Sequence, residues 1–178
     1  MPSSREHILD VYETIMRTDG ERTATLDAVA KGAGVSKGGL IYHFPSKDAL
    51  AAALCERLQR LGDEDAARMR ASADGPAAYY LRSSVYEGSD LDHALIAVAR
   101  LVQAGNEQAV RTYQTLSSQW LTIIGESTSS PVLARIIKLL GDGMYYQALL
   151  TTPDSRRQGL TEDEITEIIA VLKSVPEQ

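Results

Sequence analysis

Apolar residues recur at three- and four-residue intervals along almost the whole chain, and no long run alternates apolar with polar among β-branched or aromatic residues. That periodicity belongs to helix and argues against a sheet as the organising element. Cap and stop residues cut the pattern into pieces. Ser3 with Glu6 reads as a capping box. Ile8, Leu9, Tyr12, Ile15 and Met16 then share a helical face, and Asp19-Gly20 ends the run. Thr25 caps a second helix carrying Leu26, Val29 and Ala30, which Gly32 and Gly34 break. Ser36 caps a third, short helix that reaches about Phe44, where Pro45 stops it. Ser46 opens a long fourth through Leu50, Ala53, Leu54, Leu58 and Leu61. Past the turn Asp74-Gly75-Pro76, helices are predicted over about 76–86, 91–104, 107–125 and 131–150. A polar loop, Thr151 to Gly159, and a second capping box, Thr161 with Glu164, precede a last helix through Ile165, Ile168, Ile169 and Leu172.

The 178 residues, 44% hydrophobic and 24% charged, are enough to bury a sizeable core and too apolar for wholesale disorder. Cys55 is the single cysteine, so no internal disulfide can form, and no Cys/His cluster has zinc spacing. Neither a metal nor a cofactor is expected. The segment MPSSREHILD lacks the apolar core of a signal peptide. The longest uncharged stretch, Thr112 to Gly125, is too short and too polar for a bilayer span. A cytoplasmic location without a membrane partner is therefore the expectation.

The net charge of −6 would argue against nucleic acid if it were evenly spread, and it is not. Residues 1–60 are balanced, eight Lys/Arg against eight Asp/Glu, and no carboxylate lies between Lys31 and Lys47. A locally basic segment on an acidic body is compatible with one DNA-facing surface. The stretch Thr25 to Leu50, TLDAVAKGAGVSKGGLIYHFPSKDAL, reads as a short helix, a tight turn and a second short helix. Ala30 is small enough for close helix approach, Gly34 can take positive φ, and Val35 plugs the junction. The second helix opens on Ser36, Lys37, Gly38 and Gly39, with apolar residues at Leu40, Ile41 and Phe44. A core helix would not leave four small or cationic residues together at its start, whereas a helix that enters a groove would. The glycines let the backbone approach phosphate, Lys37 supplies charge, and Ser36, Tyr42 and His43 supply hydrogen bonds. Lys47, beside the Ser46 cap, sits at a helix N-terminus where anions are favoured.

At these residues the chain resembles a TetR-family transcriptional repressor. Ala30-Lys31-Gly32-Ala33-Gly34-Val35 followed by Ser36 to Leu50 is similar to the family's turn, recognition helix and start of the next helix, and the likeness covers roughly residues 5–55. Two departures stand out: Ile41 where many members carry an aromatic, and Asp19-Gly20-Glu21-Arg22 in place of a glycine-aromatic run. The resemblance implies an all-α protein. An N-terminal three-helix helix-turn-helix DNA-binding domain, residues 1–46, is joined by a long fourth helix to a helical ligand-binding and dimerisation domain, residues 47–178. It further implies a homodimer on a double-stranded operator, with half-sites about 34 Å apart. A small-molecule inducer would release the DNA by moving the fourth helix. Thr25, Ser36, Lys37, Gly38, Gly39, Tyr42, His43 and Lys47 match DNA-contacting positions. Lys37 would read a base; Thr25, Tyr42, His43 and Lys47 would hold phosphates. His43 has a second reading, as a histidine packed at a helix end.

In the second part, Gln119-Trp120 and Gly141-Asp142-Gly143-Met144-Tyr145-Tyr146 resemble the actinobacterial multidrug-sensing type, which binds cationic aromatic compounds. Independently, aromatic walls with a carboxylate suit a delocalised cation. Tyr86, Tyr113, Trp120, Met144, Tyr145 and Tyr146 are candidate walls, with Asp142 as the carboxylate and Glu87 or Asp90 as alternatives. Trp120 and the tyrosine pair are equally readable as core. The apolar stripes of 131–150 and 161–173 would supply a dimer four-helix bundle. Two other functions compete. A small helical enzyme finds no support, since the scattered His7, His43 and His93 form no triad spacing and no catalytic motif is present. A helical adaptor with a silent helix-turn-helix would show no salt-dependent duplex binding.

Overall fold

The computed structural model describes residues 4–128, 130–150 and 160–174. The Ser3 half of the first capping box and the Thr151–Gly159 loop lie outside the described residues. Among those described there are nine helices: α1 (Ser4–Thr18), α2 (Leu26–Gly32), α3 (Lys37–His43), α4 (Lys47–Arg70), α5 (Pro76–Ser83), α6 (Asp90–Gln103), α7 (Glu107–Glu126), α8 (Pro131–Leu150) and α9 (Glu162–Lys173). None of them is long and apolar enough to cross a membrane.

Local chemistry sets most of the boundaries. Thr25 accepts from Ala28 N, Ser36 from Gly39 N and Ser46 from Ala49 N, so each hydroxyl satisfies an amide that the first helical turn leaves free. Thr161 and Glu164 form the reciprocal capping box at α9. A further capping box, Ser89 with Asp92, opens α6; the sequence reading passed over it because Asp stands where Glu or Gln is the usual signal. α5 ends at Ser83 rather than near 86. The Ser83 and Ser84 hydroxyls both turn back to the Tyr80 carbonyl, at 3.2 and 2.7 Å, and compete with continuation of the ladder.

Two compact units result. The first combines residues 1–62 and 88–115, and the second 63–87 and 116–178, so α4 and α7 each contribute to both. In the first unit α1 packs on α2 and α6, and α2 on α3. Its core is built from Ile8, Leu9, Tyr12 and Met16 of α1, Leu40 of α3, Phe44 just beyond it, and Leu50, Leu54 and Leu58 of α4, all buried. Burial of each such side chain stabilises by about 1.5–3 kcal/mol. Arg57 of α4, its side chain only 13% exposed, ties this helix to α1 through Glu6 (2.8 Å), Asp10 (2.7 Å) and Glu13 (3.1 Å). The Arg5 guanidinium lies 4.9 Å from the centre of the Phe44 ring and covers the end of α3. Cys55 is buried, and burial pushes its thiol up, as suits an inert core residue. In the second unit α5 packs on α8 and α9.

Candidate nucleic-acid interface

The turn between α2 and α3 is made by Gly34, whose φ of +65° lies in the left-handed region that glycine enters without strain. Val35 N then donates to the Ala30 carbonyl (3.0 Å), which closes the corner. Leu40 is fully buried and Phe44 nearly so, which anchors one side of α3 in the core. The opposite side is left to solvent. Ser36, Lys37, Gly38 and Tyr42 are exposed, and Gly39 and His43 are half-buried. Tyr42 is 85% exposed, a large aromatic that the fold has no use for. Its ring meets His43 edge-on at 5.1 Å.

Gly38 sharpens the case. A Cβ there would meet only the Ser36 hydroxyl, at 4.0 Å, and the backbone is ordinary helix. Nothing inside the protein demands glycine, which costs a helix interior about 0.8–1 kcal/mol against alanine. Such a residue makes sense where an outside surface must approach the backbone closely.

The expected DNA-contacting side chains fall into two groups. The Thr25 and Ser36 hydroxyls are engaged as caps, so their contribution to an anion is to aim helix N-termini rather than to donate freely. The two lysines have carboxylate partners that the sequence reading did not anticipate. Lys37 Nζ lies 2.9 Å from an Asp27 carboxylate oxygen across the α2–α3 corner. Lys47 Nζ donates to both the carbonyl and the carboxylate of Glu21, each at 2.6 Å. Glu21 belongs to the segment that departs from the family pattern, so the departure supplies an acceptor for a cation of the motif.

The expected ligand residues are distributed over both units. Tyr113 and Asp90 belong to the first unit; Tyr86, Trp120, Asp142, Met144, Tyr145 and Tyr146 belong to the second. Within the second unit Trp120 is buried and its Nε1 donates to Asp65 (3.1 Å), which also accepts from the Tyr79 hydroxyl (2.9 Å). Burial pushes the Asp65 carboxyl up, while the bonds from Tyr79 and Trp120 and the nearby Arg68 pull the other way. Asp142 accepts from the Tyr80 hydroxyl at 3.1 Å and from Lys138 Nζ at 2.5 Å. The Tyr145 hydroxyl donates to the Ser83 carbonyl (3.1 Å), and Tyr146 is exposed. Tyr80 and Lys138 were not among the expected ligand residues, although Lys138 stands one helical turn before Asp142.

Residues 8–54 match the family model described as bacterial regulatory proteins of the tetR family. That stretch of the chain is similar to a TetR-family DNA-binding region. No curated protein matches the chain. Solved TetR-like structures match nearly all of it. A member of the TetR family from Streptomyces coelicolor A3 aligns with a TM-score of 0.68 at 22% identity, covering 96% of this chain and 98% of that one. The multidrug binding protein EbrR complexed with malachite green gives 0.67 at 20%, again covering 96% and 98%. EbrR complexed with ethidium gives 0.59 at 21% over the same shares. These likenesses show that the TetR fold extends through both compact units.

Proposed function

We propose that the protein is a ligand-responsive TetR-family repressor. Two copies form a homodimer, each setting α3 into a major groove of a palindromic operator, and a small aromatic, cationic inducer releases the complex. The observation that carries this reading is the exposed side of α3, where Lys37, Gly38 and Tyr42 face solvent together. Residues 1–46 act as the reading head and residues 47–178 as the ligand-binding and dimerisation part. Lys37 leaves Asp27 to reach a base edge, Lys47 exchanges Glu21 for a phosphate, and Thr25, Tyr42 and His43 fix the register on the backbone. Val132, Ile136, Leu139 and Tyr146 form an exposed apolar row along α8. Such a row suits a self-complementary helical interface. The inducer class is supported by the aromatic and carboxylate groups of the second unit and by the malachite green and ethidium of the EbrR complexes. The inducer acts through α4, which runs from the reading head into the second unit.

The test is selection of bound duplexes from genomic DNA, followed by titration of the selected site over a salt series. A specific, palindromic site whose affinity falls steeply with salt is expected. Lys37→Ala with Tyr42→Ala should remove the preference for that site. An aromatic cation should release the protein while leaving an unrelated repressor on its own operator. Absence of salt-dependent duplex binding would leave a helical adaptor instead.

A further inference from the structure

The only buried lysine among the described residues sits in a place built for a cation. Lys138 of α8 is 4% exposed. Its ammonium lies 5.6 Å from the centre of the Tyr80 ring and 5.7 Å from that of Trp120, and it donates to Asp142 one turn further along. The two rings stand 6.0 Å apart at 54°, a tilted pair with both side chains buried. Each wall is braced from behind. The edge of Trp120 is held by Asp65, the hydroxyl of Tyr80 by Asp142, and a Cβ at Gly141 would come within 2.4 Å of the Tyr80 ring. Asp142 keeps a third of its side chain exposed, so the carboxylate end of the cluster opens to solvent.

Two aromatic faces and a part-exposed counter-ion are the components of a cation receptor. Here the protein's own side chain fills it. An ammonium is compact and strongly hydrated, and with one carboxylate as its acceptor among the described residues it satisfies its three donors poorly. A delocalised aromatic cation carries less hydration to lose and more surface to stack. Exchange would return the Lys138 head to water on its flexible four-carbon stem and leave the ligand on the rings. A second cation cannot simply join, because Lys138 already pairs with the one carboxylate of Asp142.

We propose that Tyr80, Trp120 and Asp142 form the inducer's cation site, that Lys138 occupies it in the ligand-free protein, and that an aromatic monocation binds by displacing the Lys138 ammonium. The inference rests on the reading of this chain as a sensor of aromatic cations. It predicts that the site discriminates against small hydrated cations and neutral aromatics, neither of which can both displace the lysine and satisfy Asp142.

The probe is ethidium, added to the full-length protein without DNA and followed by quenching of Trp120, the sole tryptophan. Lys138→Met removes the occupant and leaves the receptor, and should tighten ethidium binding at least about tenfold. Lys138→Arg keeps a cation in place and should not. In the wild type, which requires no variant to fold, acetylation of Lys138 read by peptide mass spectrometry should be slow and should accelerate several-fold when ethidium is bound. Quenching with unchanged or slower Lys138 acetylation would overturn the displacement while leaving a cation sensor. So would Lys138→Met binding no more tightly than wild type. Failure of ethidium to bind either the wild type or a folded Lys138→Met protein would remove both the displacement and the cationic inducer.

Discussion

Gly38 and Glu21 bear on the proposed DNA interface rather than on the core. Gly38 has room for a methyl group and no unusual backbone angle, so the fold would gain from alanine. Gly38→Ala should raise stability by up to about 1 kcal/mol in a thermal melt while weakening operator binding in a gel shift. A variant that gains stability and binds as before would mean that DNA does not approach this backbone. Glu21 holds Lys47 in a part-exposed pair, worth at most about 1 kcal/mol. Glu21→Gln removes the carboxylate charge that offsets the ammonium and should strengthen binding to operator and scrambled duplex alike by up to about fivefold at low salt. Fluorescence anisotropy on the two duplexes reads this directly; a gain confined to the operator would give Lys47 a base-reading role instead.

Where helices meet, buried polar groups rather than apolar stripes specify the pairing. Asp65 of α4 receives Tyr79 of α5 and Trp120 of α7, so one carboxylate orients two other helices. Burial is the largest influence on it and raises it, so the folded state keeps its proton to higher pH than the unfolded chain does. Its contribution to stability is then full below the unfolded value of about 3.9 and declines as pH rises through the folded one. In urea melts the wild type should therefore lose stability relative to Asp65→Asn as pH climbs from about 4. The opposite trend would show that the three donors outweigh burial. Arg57 makes a comparable joint at α1, where it gathers Glu6, Asp10 and Glu13.

At the level of the whole molecule, the acidic excess and the basic reading segment separate along the chain, which lets an overall negative protein approach DNA with one surface. The exposed row Val132, Ile136, Leu139 and Tyr146 is the strongest indication of a second copy. Ile136→Glu with Leu139→Glu should shift sedimentation from dimer to monomer, leave the helical circular dichroism intact, and lower operator affinity by more than about tenfold, since each protomer then holds one half-site alone. A double variant that remains dimeric would move the interface elsewhere.

Much of this protein is legible from order along the chain, because helix caps, stops and the α2–α3 corner are local devices. Thr25, Ser36, Ser46, the Thr161–Glu164 box and the positive φ of Gly34 each depend on neighbours within a turn, and each falls where the residue pattern puts it. The end of α5 escaped, since the back-bonding of Ser83 and Ser84 depends on rotamers that composition does not display. The electrostatic partners escaped for a different reason. Glu21 lies 26 residues from Lys47, Asp65 lies 55 from Trp120, and Tyr80 lies 62 from Asp142. No periodicity links residues so far apart; packing of the helices brings them within hydrogen-bonding distance, and Lys138 becomes a buried cation only because Tyr80, Trp120 and Asp142 converge around it.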